Sequence, residues 1–333
     1  MVESRTVGAD EAELRLDRWF RKHFPELPHA RLQRLLRTGQ VRVDGRRAEA
    51  GLRLSAGQTI RLPPLDTVPA PTRDRQDRPV DAATAERLQA AVLFRDDWVI
   101  GLDKPAGLAV QGGSGQHQHL DGLLDTLRFE AAERPRLVHR LDRDTAGVLL
   151  LARTAQAARR LTQAFKQDEA RKTYWALVSG RPTKPRGVIS AALGKRQGPA
   201  GEKVVTDEEG GKPAVTRWAR VASVDLPGRQ QATWLALRPL TGRTHQLRVH
   251  CAALGHSILG DGKYGGKAAF GPLRGLPQQM MLLAREIAVP HPEDGTTLRV
   301  EAPLPPHMAA AFAAFRFAES DTAAVQAADW LEG

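Results

Sequence analysis

Cysteine is almost missing: Cys251 is the only one in 333 residues. That excludes a disulfide framework and any cysteine-rich metal site, and it suits a reducing cytoplasm. No apolar run approaches the ~20 residues needed to cross a bilayer. The opening stretch, MVESRTVGADEAEL, is polar and acidic and lacks the apolar segment of a secretory signal. Acid is also short, with 38 Asp and Glu against 49 Lys and Arg, a net charge of +11. Such an excess points to an anionic partner, most often nucleic acid. Hydrophobic residues still make up 41%, enough for a sizeable core, and the length suits two domains or one large domain with a small module.

The basic excess is local. Residues 15–62 hold 12 Lys and Arg against four acids, a balance of +8, whereas the other 285 residues hold 37 against 34, a balance of +3. Within that stretch Leu16, Trp19 and Phe20 fall at i, i+3, i+4 spacing and predict a helix with one apolar face, ended by Pro25 and Pro28. Leu32, Leu35 and Leu36 repeat the pattern in a second helix, with Gly39 at its C-cap. Arg31, Arg34 and Arg37 step by three along a different face. The row is of one sign with few acids to balance it, so it reads as a phosphate-binding face rather than a merely solvated one. Val41-Arg42-Val43 alternates as a strand, Asp44-Gly45 is a hairpin turn, and Thr59-Ile60-Arg61-Leu62 closes with another strand. On LRLDRWF, ARLQRLLRTGQVRVDG and GQTIRLP, residues 15–62 resemble the αL RNA-binding module first described in a small-subunit ribosomal protein.

Residues 63–80 carry five prolines and no hydrophobic period, which predicts a semi-extended linker. A second globular unit is expected over residues 88–310. The Ala-rich end, 311–333, reads as a terminal helix or frayed tail without chemistry.

Four stretches of the second unit set polar residues between apolar runs. VIGLDKPAGLAV (99–110) predicts a strand, a Lys-Pro-x-Gly turn and a second strand; Lys104 there can meet a phosphate or brace a loop, although on this stretch alone a plain turn shaped by Pro105 and Gly107 is the better account. In LVHRLDRDTAGVLLLART (137–154), a cluster of polar residues ending at Asp144 precedes the buried-strand run Val148–Leu151. Asp142 on that loop is placed to meet a ligand, and flanking arginines favour its carboxylate, a competent nucleophile. An Asp–Arg surface pair is the plain alternative. In ARKTYWALVSG (170–180) Lys172 and Tyr174 share one strand face, and a Tyr can stack on a base. LTGRTHQLRVHCAALGHSILGDGKYG (240–265) gathers Arg243, His245, Gln246, Arg248, His250 and His256 with one nearby acid, Asp261. No HExxH pattern or Cys pair accompanies these histidines, so an anionic substrate or an Asp partner fits them better than a metal. Gly112–Gly115 lacks a following GK[ST], Gln116 breaks a G-x-S-x-G elbow, and no G-x-G-x-x-G occurs.

Taken together, LVHRLDRDTAGVLLLA and GRTHQLRVHCAALGHSILGDGKYG, in this order over residues ~90–290, resemble the RluA/RluC family of pseudouridine synthases. The N-terminal module brings the sequence nearest the RluC-like branch, which modifies large-subunit ribosomal RNA. One departure is visible: Thr145-Ala146-Gly147 stands where the family has Thr-Ser-Gly.

The resemblance implies an α+β fold, in which a small α/β RNA-binding domain precedes a catalytic domain with a long mixed, mostly antiparallel sheet. The residues alone support mixed α/β with many short strands. The resemblance also implies roles. Asp142 is the nucleophile on a flipped uridine, attacking either the sugar C1′ or the ring C6. Arg140 takes the place of the extruded base. Tyr174 stacks on the uracil and is the candidate for taking the C5 proton. Arg248 ion-pairs with Asp142, Leu247 packs against the base, and Lys172, Arg243, His245 and Gln246 complete the substrate-binding set. No ATP, metal or nicotinamide is needed. The expected partner is 23S ribosomal RNA, free or in a pre-ribosomal particle, with the chain acting as a monomer in the cytoplasm. The rivals are a non-catalytic ribosomal-RNA-binding assembly factor and a metal-dependent hydrolase built on the histidines near 245–256.

Overall fold

The computed structural model describes residues 3–25, 27, 29–64, 81–112, 119–198 and 201–332. The chain divides into two units, Met1–Pro79 and Val80–Gly333. In the first, strand β1 (Glu3–Thr6) precedes helices α1 (Leu16–His23) and α2 (His29–Arg37), and strands β2 (Arg42–Val43), β3 (Arg46–Arg47) and β4 (Thr59–Leu62) follow. The four strands form an antiparallel sheet in the order β1-β4-β2-β3. Leu16, Trp19 and Phe20 of α1 and Leu32, Leu35 and Leu36 of α2 are all buried in one core with Ile60 and Leu62. Helix α1 stops at His23 because the residue before Pro25 is pushed out of the helical region; Pro28 lies outside the described residues. Gly39 takes φ +70 just beyond α2, and Asp44 and Gly45 are both left-handed, as a two-residue hairpin turn requires. Arg34 and Arg37 are exposed and Arg31 half-buried.

Of the expected linker, residues 65–80 lie outside the described residues. The second unit starts earlier than residue 88, with helix α3 (Ala82–Ala90). Asp81 accepts from the Thr84 amide at its N-cap, a signal that the apolar pattern alone does not carry. There follow β5 (Val92–Arg95), β6 (Val99–Lys104), α4 (Leu120–Leu123), β7 (Arg136–Leu137), β8 (Ala146–Ala152), α5 (Ala155–Lys166), β9 (Arg171–Ser179), β10 (Arg186–Ser190), β11 (Leu193–Gly198), β12 (Gly201–Thr206), β13 (Val215–Leu226) and β14 (Gln230–Pro239). The last elements are α6 (Gln246–Ala253), α7 (Gly262–Gly265), β15 (Leu282–Pro290), β16 (Thr297–Glu301), α8 (Pro306–Phe315) and α9 (Thr322–Glu332). A long sheet runs β10-β13-β14-β9-β15-β8-β6-β5, with β16 on β15 and β7 on β8; β11 and β12 form a separate hairpin. Every pairing is antiparallel except β15 with β8. The fold is α+β with a mixed, mostly antiparallel sheet, as expected.

The centre of this sheet is covered on both faces. Along β8, Val148 and Leu150 enter one apolar cluster with α5 and α8, while Leu149 and Leu151 enter another with α3 and α4. That is why Val148–Leu151 reads as a continuous apolar run without alternation. One expectation fails, and another resolves to one of its two alternatives. Leu108–Val110 forms no strand: its carbonyls at Ala109 and Val110 accept from Leu120 and Asp121 at the start of α4 instead. The Ala-rich end takes the helix alternative rather than the frayed tail, as α8 and α9, and the boundary at 311 cuts through α8. Met308, Ala311, Phe312 and Phe315 are buried in the main core, and Leu331 of α9 joins them. Among the described residues no helix is long and apolar enough to cross a membrane.

Candidate active site

A cleft of about 690 Å³ opens in the second unit, lined by the loop before β8, the middle of β9 and the start of α6. The first of these, His139–Thr145, is pinned at both ends. At its start the His139 Nε2 accepts from the Leu150 amide at 2.9 Å, and the ring packs at a tilt against Phe165. Burial pushes this histidine down to about 3, so it stays the neutral acceptor that the contact needs. Further on, the Arg143 carbonyl accepts from the Gly107 amide at 2.9 Å and from Lys104 Nζ at 3.0 Å. Lys104 has no solvent exposure and also donates to the Pro105 and Leu108 carbonyls. Its task is therefore to brace the loop. Gly147 then turns the chain into β8 with φ +107; a Cβ there would stand 2.2 Å from the Ala284 carbonyl oxygen. Ala146 is fully buried against β15, where a methyl needs no partner and the hydroxyl of a serine would need one.

Asp142 sits partly exposed on this loop. Its Oδ2 lies 3.8 Å from Arg248 Nη1 and 3.9 Å from His245 Nε2. Both contacts are longer than a hydrogen bond, so the oxygen is attracted without being tied down. Arg248 is fixed from behind instead. Its Nε and Nη2 donate to the two oxygens of buried Asp261 at 2.7 and 2.8 Å. Burial works against the Arg248 charge, and the Asp261 carboxylate more than offsets it. Asp261 also caps α7, accepting from the amides of Lys263 and Tyr264. The Tyr264 hydroxyl in turn meets His245 Nδ1 at 2.7 Å.

The other expected site residues divide. Tyr174 on β9 and Leu247 on α6 line the cleft next to Asp142, and Lys172 lines it one strand repeat away. Burial first and Asp142 second raise the Tyr174 phenol above its usual range, so it stays neutral. Arg140 and Arg243 are exposed on the cleft walls, Arg243 donating to the Pro213 carbonyl. Gln246 is buried, and its amide is spent on Thr241, Arg243, Val215 and Thr216. That makes it a brace for the start of α6, not a free contact for a ligand. His250 bonds Thr216 and the Ala191 carbonyl, and His256 the Ser179 carbonyl. Among the described residues no three His, Cys, Asp or Glu converge as metal ligands. Arg31, Arg34 and Arg37 belong to the first unit, where Arg34 and Arg37 line a second cleft with Arg47.

Sequence reasoning gave Asp261 and Tyr264 no role. Both tyrosines of the chain, Tyr174 and Tyr264, stand at this one site. That scarcity, with GDGKYG following the histidine-rich stretch, was the available signal.

The long mixed sheet and its cleft agree in fold with the RNA pseudouridylate synthases. The family model of that description matches residues 99–253, and relatives 36% identical along nearly the whole chain place the protein in the family. It is 36% identical to ribosomal large subunit pseudouridine synthase C of Pasteurella multocida, over 95% of this chain and 94% of that protein. It is also 36% identical to the protein of the same name from Yersinia pestis, over 91% and 92%. Among solved structures, human RNA pseudouridylate synthase domain containing 4 matches with a TM-score of 0.58 and 27% identity, over 70% of this chain and 96% of that one.

Proposed function

We propose that this protein isomerises uridine to pseudouridine in large-subunit ribosomal RNA, with Asp142 as the nucleophile. The observation that carries this reading is the environment of Asp142. Arg248 and His245 approach Oδ2 from 3.8 and 3.9 Å, no side chain among the described residues bonds Oδ1, and the carboxylate faces an open cleft. The relatives at 36% identity along nearly the whole chain carry the name of that activity on the ribosomal large subunit.

The reaction moves a bond and conserves the atoms. The N1–C1′ bond breaks, the uracil turns, C5 bonds to C1′, the C5 proton passes to solvent and N1 takes one up from it. Asp142 attacks C1′ or C6 and is expelled when the C–C bond is complete. To reach it, a uridine must leave its stack, at a cost of a few kcal/mol that the surrounding RNA contacts supply. Arg140, exposed on the wall of the cleft, fills the gap left behind. Tyr174 and Leu247 sandwich the uracil. We assign Tyr174 the stacking role rather than that of base, since its raised pKa makes a phenolate costly. Lys172, held partly desolvated on the cleft wall, and Arg243 meet the phosphates. The site is complete within one chain, which supports a monomer, and the αL-like first unit supplies a general grip on 23S ribosomal RNA.

The test is single-turnover conversion of 23S ribosomal RNA with mapping of pseudouridine. Asp142→Asn should lose more than about 10³-fold in rate, as expected for removal of a covalent nucleophile, while RNA affinity stays within a factor of two. Conversion by that variant at the wild-type rate would remove Asp142 from the chemistry.

A further inference from the structure

His245 stands apart from the other residues of its stretch in three ways. Its backbone is left-handed, φ 54 and ψ 19, at the residue that opens α6. A histidine tolerates that region better than most residues but does not prefer it, and such strain collects where a side chain must be aimed. Its ring bridges two groups, with Nδ1 at 2.7 Å from the Tyr264 hydroxyl and Nε2 at 3.9 Å from Asp142 Oδ2. It caps no amide of its own helix, so helix capping does not explain its placement.

We infer that His245 is a positioning residue for Asp142: Tyr264 locks its ring with the Nε2–H turned toward the carboxylate, so that His245 and Arg248 together draw one oxygen electrostatically and leave the other free to attack. This rests on the reading of Asp142 as the nucleophile.

The tautomer follows from electrostatics. A bare Nε2 lone pair would face a carboxylate oxygen, whereas an N–H there is attracted to it. With the proton on Nε2, Nδ1 is an acceptor, and the Tyr264 O–H donates to it. Tyr264 can hold that geometry because its own position is fixed twice. Its backbone amide donates to Asp261, and its ring packs edge-on against His245 while lying under the Arg248 guanidinium at 5.0 Å. One buried carboxylate, Asp261, thus sets both arms of the clamp: Arg248 directly and His245 through Tyr264. The groups facing the imidazole are Asp142, Arg248, Lys263, Asp261 and Tyr264; burial lowers its pKa against the pull of Asp142, which keeps the ring neutral and the tautomer meaningful.

Two measurements test this. In the full-length protein, long-range ¹H–¹⁵N spectra of ¹⁵N-histidine-labelled enzyme, assigned with His245→Gln, should show His245 protonated on Nε2 in the wild type. Tyr264→Phe should shift it toward a mixture of tautomers. In single-turnover conversion of 23S ribosomal RNA, Tyr264→Phe should slow the chemical step roughly tenfold, the size of one lost hydrogen bond, with RNA affinity within twofold. His245→Ala should slow it further, and His245→Gln, which returns an N–H near the Nε2 position, should recover part of that loss. A His245 protonated on Nδ1 in the wild type overturns the inference whatever the variants do. So does a wild-type rate in His245→Ala. Absence of pseudouridine with the wild-type enzyme would instead count against the proposed function, and the tautomer result would stand apart from it.

Discussion

Lys104 is an ammonium with no solvent exposure whose three donors each meet a backbone carbonyl. Carbonyls are dipoles, not counter-charges, and burial lowers its pKa from 10.5 to about 8, with Asp144, Asp142 and Asp103 only partly opposing. The sign for stability follows. Below pH 8 the folded and unfolded chains both hold the proton. Between about 8 and 10.5 the unfolded chain holds it and the folded chain does not, so this group's contribution to stability rises with pH across that window. In urea unfolding, the stability of the wild type relative to Lys104→Met should therefore improve by about 2–3 kcal/mol from pH 7 to pH 10. A flat difference would mean that the ammonium is not desolvated. The sequence offered both a bracing and a phosphate role for this lysine, and only the three carbonyls decide between them. Asp261 shows the same limit from the other side. Arg248 stands 3.8 Å from Asp142, but its hydrogen-bonded partner is Asp261, 13 residues along the chain on another element. Removing one member of such a buried pair leaves an uncompensated charge, so the pair is a fixture of the site rather than a source of net stability.

At the scale of elements, what was legible depended on contrast. β8 was visible because seven consecutive buried positions leave an aliphatic run, and the helices of the first unit because Leu and Trp alternate with Arg. The segment 306–315 has little such contrast, since alanine is at home on either side of a helix. Yet Met308, Ala311, Phe312 and Phe315 fall at i, i+3, i+4, i+7, and that face packs Phe312 against Trp175 and Trp234, on the strands that carry the site. Trp175 is the neighbour of Tyr174 on β9, with its side chain on the opposite face of the sheet. The end of the chain therefore supports the strand from which Tyr174 projects. Phe312→Ala should cost about 3–5 kcal/mol in urea unfolding, and ending the chain at residue 305 should leave no cooperative transition. A truncated protein that unfolds like the full chain would restore the tail reading.

Over the whole molecule, affinity and chemistry are assigned to different units. Residues 15–62 of the first unit carry +8 of the net +11, although the acids outside that stretch bring the whole unit to +5 and leave +6 on the second. The first unit's arginines at 31, 34 and 37 follow one helix, and Arg34 and Arg37 reach an open cleft beside Arg47. The second unit sets Arg248 and His245 beside one carboxylate, Asp142. A row of exposed arginines that neutralises phosphates releases counterions, and each contact adds roughly 0.7–0.9 to the slope of log affinity against log salt. Replacing Arg31, Arg34 and Arg37 together by Gln should therefore flatten that slope by about 2 for 23S ribosomal RNA. At low salt and saturating RNA the single-turnover rate should stay at the wild-type value, because none of the three belongs to the unit that holds Asp142. An unchanged slope would show that this face does not touch RNA. A slope that flattens while the saturated rate also collapses would show that the first unit does more than grip, and takes part in presenting the uridine to the cleft.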